Sequence, residues 1–193
     1  MGRTCGPATP ARLWLLLLAA LAVLAPACAG VRLVSAYDER SEQELSDLYT
    51  QTTAFVDRMI SLKGTAEGNF TNNRQFYNDS IARVELVIAR SQGFSVMSNC
   101  PSTTFVAQLV ERNLPPDLRQ RLGDVPEGDC QTAVLRLLRD AYGDMRTFHE
   151  QQGDRGIPPS ARGPLLEGGV GSLLRTAITI QVAKRAAQPA GDG

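Results

Sequence analysis

Three long stretches of this chain carry apolar residues at helical spacing, and they constrain its fold more than any other feature. In the first, Leu45, Leu48, Tyr49, Phe55, Val56, Met59 and Ile60 share one arc of about 160° on a helical wheel. In the second, Phe76, Tyr77, Ile81, Val84, Val87 and Ile88 share about 140°. The third holds Cys130, Val134, Leu135, Leu137, Leu138, Ala141, Tyr142, Met145 and Phe148. The spacing predicts helices over 42–63, 73–92 and 130–151. An amphipathic helix has to bury its stripe against another element.

Local signals agree with these spans. Ser41-Glu42-Gln43-Glu44 reads as a capping box. Gly64 and Gly93 are stop signals, and Asn72 or Asn73 and then Asp129 offer helix caps. A shorter segment opens at Ser102 with Phe105, Val106, Leu109 and Val110, and Pro115-Pro116 interrupts it. Residues 116–122 read as one more short turn of helix. The expected fold is all-α: an antiparallel helical bundle of about four helices with a flexible C-terminal tail.

The chain opens with a different kind of segment. Arg3 and Arg12 flank the start of an unbroken apolar run, LWLLLLAALAVLA at 13–25, which Pro26 ends. Ala27-Cys28-Ala29 then supplies small residues suited to a signal peptidase. The run is short of the roughly 20 residues a spanning helix needs. Residues 1–30 are therefore expected to be a cleaved signal peptide, with 31–152 the helical domain. No later stretch is apolar enough to span a membrane. Secretion is the expected destination, with retention in the lumen of the secretory pathway as the alternative.

Removing residues 1–30 takes away Trp14, Cys5 and Cys28 and leaves Cys100 and Cys130. In an oxidising compartment these two most simply form one disulfide. The same cut removes two of the 20 basic residues and none of the 20 acidic ones, so the remainder is slightly acidic. That argues against nucleic acid as a partner, whose binding surfaces show a basic excess.

A secretory route makes two N-x-S/T triplets meaningful: Asn69-Phe70-Thr71 and Asn78-Asp79-Ser80. Asn69 is expected on a loop and Asn78 on the polar face near a helix start. Glycans there would cover this end of the second helix and leave protein contacts to another face. Residues 153–172 are rich in Gly and Pro and read as linker. Residues 173–187 fit a strand through Ile178, Ile180 and Val182, or a helix through Leu173, Leu174, Ala177 and Ile178. The whole of 153–193 is expected to be a linker with a low-order tail, in which Lys184-Arg185 is a candidate site for a dibasic processing protease.

Catalytic groups are sparse. The chain has one histidine, His149, on the apolar side of the last long helix, where it reads as a structural residue with the capacity to sense pH. One histidine and two pairing cysteines leave a zinc site short of ligands. No G-x-S-x-G elbow is present. GVGS at 169–172 lacks the lysine of a P-loop. The carboxylate pairs Glu42/Glu44 and Asp140/Asp144 read as solvated charge. No cofactor is expected and no enzymatic activity. The expected function is binding of an extracellular or cell-surface protein through one helical face, in the manner of a cytokine. The alternative is a carrier of lipid or a small apolar ligand, with a cavity lined by Phe55, Met59, Phe105, Met145 and Phe148.

Overall fold

The structure, a computed structural model, describes residues 37–95, 112, 114–123 and 130–186. All regular structure in these residues is helical. The helices are α1 (Glu39–Ser61), α2 (Phe70–Ser95), α3 (Pro116–Gly123), α4 (Cys130–Gln152), α5 (Arg162–Leu166) and α6 (Val170–Ala186). Single 3-10 turns at Ala66–Gly68, Gly153–Arg155 and Pro159–Ala161 join them.

Cross-helix bonds give the directions. Arg90 of α2 pairs with Asp38 at 2.6 Å, and Arg83 bonds Glu44 and Gln51, so α1 and α2 run antiparallel. Between α2 and α4, Ser91 meets Thr132 at 2.9 Å and Tyr77 meets His149 at 2.8 Å, which again fixes opposite directions. Arg185 pairs with Glu42 at 2.9 Å and Arg175 reaches the Tyr49 hydroxyl, so α6 runs antiparallel to α1. Lys184 on α6 bonds Gln131 on α4. Around the core the order is thus α1, α2, α4, α6, each opposed to its neighbours.

The stripes read from the sequence form that core. Leu45, Leu48, Val56 and Met59 meet Tyr77, Val84 and Val87, and Leu135, Leu138, Tyr142 and Met145, all essentially inaccessible to solvent. Each such side chain stabilises the fold by about 1.5–3 kcal/mol relative to exposure. Leu114 and Leu118 are buried alongside, bringing α3 against α4.

Three expectations are corrected. The segment 153–186 is neither linker nor low-order tail. Ile157, Ala161 and Leu166 are buried, and α6 places Leu173, Leu174, Ala177 and Ile180 in the same core as α1 and α4. A helix covered on two sides is apolar over most of its circumference, so it lacks a clean stripe. Gly169 is part of that helix start, where its carbonyl accepts from Ser172 and Leu173. The second correction concerns α1, which begins ahead of the S-x-x-E motif. Asp38 is its cap, accepting from the Arg40 amide at 3.2 Å, while Ser41 is buried in the first turn and donates to Asp38 at 2.6 Å. The third concerns α2, which is capped by Asn69, whose Oδ1 accepts from the Asn72 amide at 3.0 Å. Asn72 and Asn73 tie back to the carbonyls of Ala66 and Glu67 instead. The segment 102–110 and the signal-like residues 1–30 lie outside the described residues.

Candidate functional site

The end of the molecule built by the α1–α2 turn, the start of α2 and the end of α4 gathers most of the residues singled out from the sequence. The turn is tight because residue 68 is glycine. A Cβ there would sit 2.1 Å from the Leu62 carbonyl oxygen, closer than any side chain tolerates. The chain after α4 then crosses against it through Gly156, at φ 64° and with its missing Cβ 3.1 Å from the Gly68 oxygen.

His149 is the hub. It is fully buried, with Nε2 3.0 Å from the Gly68 carbonyl oxygen and Nδ1 2.8 Å from the Tyr77 hydroxyl. A carbonyl only accepts, so Nε2 carries the hydrogen and Nδ1 accepts from Tyr77. The neutral ring is satisfied at both nitrogens. Phe55, Phe70 and Tyr77 meet it edge-on at centroid distances of 5.9–6.4 Å. Burial lowers its pKa below the ordinary histidine value, against the opposing effect of the Gly68 bond. Burial also raises the Tyr77 phenol well above its usual range. Phe55 stacks on Phe76 at 3.7 Å, with Tyr77 edge-on to both.

The sequons flank this hub. Asn69 combines the α2 cap with a sequon, and a glycan on its Nδ2 leaves the capping Oδ1 in place. Asn78 is exposed on α2, its Oδ1 3.4 Å from Arg146 of α4. The third residue of that triplet, Ser80, is only 3% exposed.

A second surface feature lies on the other side of α4. Phe148 and Gln152 with Pro158, Ser160, Ala161, Pro164 and Leu165 line an open, mainly apolar dish of about 290 Å³. Phe148 is two residues beyond Arg146, a rotation of about 200° on a helix, so the dish faces away from the Asn78 seam. The residues offered for an enclosed ligand cavity are placed differently. Met59 and Met145 are packed in the core, and among the described members of that set only Phe148 lines the dish. Phe105 lies outside the described residues.

The opposite end is polar. Asp38 sits between Arg90, Ser41 and the Arg40 amide, and the Arg90 bond above all holds its carboxyl down at about 2. Gln181 bonds the Asp38 amide at 3.5 Å. Lys184, the first half of the dibasic pair, is 5% exposed in α6, while Arg185 is exposed over the Tyr37 ring. Both residues lie in the last turn of that helix rather than in an extended segment. Midway, Tyr142 meets Thr52 at 2.5 Å, and burial pushes its phenol up to about 12.

The remaining sequence candidates are dispersed. Glu42 and Glu44 belong to separate ion pairs with Arg185 and Arg83. Asp140 bonds Arg139 at 2.8 Å and exposed Asp144 lies 3.7 Å from Arg121, a solvated charged face. Cys130 is the first residue of α4, and Cys100 lies outside the described residues. Among the described residues no three His, Cys, Asp or Glu side chains converge as a metal site, and no helix is long and apolar enough to cross a membrane. The sequence pattern gave no signal for the Gly68–His149–Tyr77 arrangement beyond the apolar position of His149.

No protein-family model, curated protein or solved structure matches this chain.

Proposed function

We propose that this is a secreted, N-glycosylated, non-catalytic binding protein whose partner is an extracellular or cell-surface protein. The proposed frame is an antiparallel four-helix bundle, stapled by Cys100–Cys130 next to the start of α4. The observation that carries the reading is the division of surface around α4. The sequon asparagines occupy the α1–α2 turn and the α2–α4 seam, whereas the apolar dish faces the other way. Sugar on one side leaves the other side to protein contact. Half-buried aromatic and aliphatic groups, Phe148 and Leu165, beside a polar rim of Gln152 and Ser160 are a composition suited to an interaction surface.

The test is expression of the full chain in secreting cells. Intact mass of the medium, with and without glycosidase and reductant, should show a chain starting near residue 30, one disulfide, and glycan at each sequon. Asn69→Gln and Asn78→Gln should each remove one glycan. Labelled protein should then bind cell surfaces saturably, and Leu165→Asp in the dish should weaken that binding at least tenfold while α-helical content is unchanged. Retention in the cell, unglycosylated, with residues 1–30 intact, would overturn the reading.

A specific observation keeps the carrier reading as the second one. At about 290 Å³ the dish lies at the lower edge of the range of small-molecule sites. Native mass spectrometry of the secreted protein separates the two readings: a stoichiometric apolar ligand that Leu165→Asp abolishes would favour the carrier.

A further inference from the structure

Among the described residues, no buried charge lies against His149 to neutralise an imidazolium. The ring is met by Phe55 from α1, by Phe70 and Tyr77 from α2, and by the Gly68 carbonyl from the turn. Charged residues on the same elements are Asp57 and Arg58 on α1, Lys63 and Glu67 in the turn, Arg74 on α2, Glu150 on α4, and Asp154 and Arg155 beyond it. All of these are at the solvent surface. Arg146 on α4 is half-buried, but it is itself a cation, with its guanidinium 5.8 Å from the Phe70 ring centre.

A second proton would have to go on Nδ1. That turns the acceptor of the Tyr77 hydroxyl bond into a donor. The Tyr77 oxygen could accept it, but its own hydrogen would then face the Phe55, Phe70 and Phe76 rings, which offer only weak π acceptors. A buried charge without a counter-ion is costly, and the route to relief is exposure of the ring to water. Exposure requires the Gly68 turn to leave His149, because the two are bonded. It also frees Gly156, which rests on the same carbonyl.

We propose that His149 is an acid-operated clasp: neutral, it pins the α1–α2 turn to the end of α4, and protonation releases that turn and opens the Asn69-bearing end of the molecule. The device is independent of the secretory reading and of any partner. Its consequence is that a binding surface built on this end or on the adjoining 153–165 segment changes with the acidity of its surroundings.

The chain has one histidine, so its imidazole resonances identify themselves. The experiment uses the full folded chain between about pH 8 and 4.5, the range in which histidine titrates. It follows the imidazole signals together with amide exchange at 65–73 and at 132–141, corrected for the intrinsic pH dependence. The expected result is faster exchange at 65–73 as pH falls below about 6.5, by up to about tenfold per pH unit, with 132–141 unmoved. His149→Gln keeps a donor and an acceptor without titrating, and its exchange at 65–73 should be flat with pH. Wild-type exchange at 65–73 that ignores pH would overturn the clasp. So would loss of protection that is equal at 132–141. If His149→Gln does not fold, Tyr77→Phe decides: loss of the bond that favours neutral Nδ1 should speed exchange at 65–73 already at pH 8 and shrink its further rise in acid, and an unchanged pH profile overturns the proposal.

Discussion

The two ends of this molecule are closed by opposite kinds of chemistry. At one end α1, α2, α4 and α6 meet through charged side chains. Arg90 holds Asp38, Arg185 holds Glu42, and Lys184 reaches Gln131. At the other end the closure is neutral, a histidine between a tyrosine hydroxyl and a backbone carbonyl inside a shell of rings. The comparison shows how one core can support two ends that fail under different conditions.

The pH windows follow from the signs. Asp38 has its carboxyl held down at about 2, so its contribution is present above the ordinary carboxylate range and is lost as pH falls from about 4 toward 2. His149 is also lowered, by burial. Its contribution is present above about 6.5 and is lost as pH falls below that value toward its folded-state pKa. Mild acid thus acts on the histidine end alone. Strong acid is needed for the charged end. Tyr142, between the two, runs the other way, its contribution being lost as pH rises from about 10 through about 12.

The comparison presumes a single core shared by both ends. Leu173→Ala tests this most severely. Leu173 is fully buried on α6, and its truncation should cost about 2–5 kcal/mol in urea unfolding, in one cooperative transition. A loss below about 0.5 kcal/mol would mean that α6 is not part of the core. Asp38→Ala removes both the α1 cap and the partner of Arg90. It should cost about 2 kcal/mol at neutral pH and almost nothing near pH 2, while leaving exchange at 65–73 unchanged. Tyr142→Phe leaves the Thr52 hydroxyl without its bond and should cost about 1–2 kcal/mol by thermal unfolding, while removing part of the alkaline loss. Arg162→Ala breaks an exposed pair with Asp57 and should shift the urea midpoint very little, less still in high salt. An Arg162 effect as large as that of Asp38 would erase the distinction between buried and exposed charge on which the comparison rests.

Much of the fold was readable from the chain. The stripes of α1, α2 and α4 each face one core, and a single buried face leaves a period that survives in sequence. Their ends were less readable. Ser41 looked like a cap by motif, yet Asp38 takes that role because Arg90, 52 residues away, fixes its carboxylate. Asn69 was noticed as a sequon, and only the approach of Asn72 shows it as a cap. The Asn78 triplet reads as an open site, whereas its Ser80 is buried once the helices pack. The candidate site was legible in its parts, Asn69, Asn78 and His149, without their grouping.

The sequence by itself determined that α1, α2 and α4 are helices with buried stripes, since periodicity acts over one or two turns. It also determined that His149 would lie on the apolar side of α4. The tertiary structure alone decided that 170–186 is a core helix, because its apolar residues point to two different neighbours and show no single stripe until both are in place. It alone decided that Lys184 is buried and that His149 is bonded to Gly68 and Tyr77. Those bonds join residues 81 and 72 positions apart, and such distances acquire meaning only when packing brings the helices together.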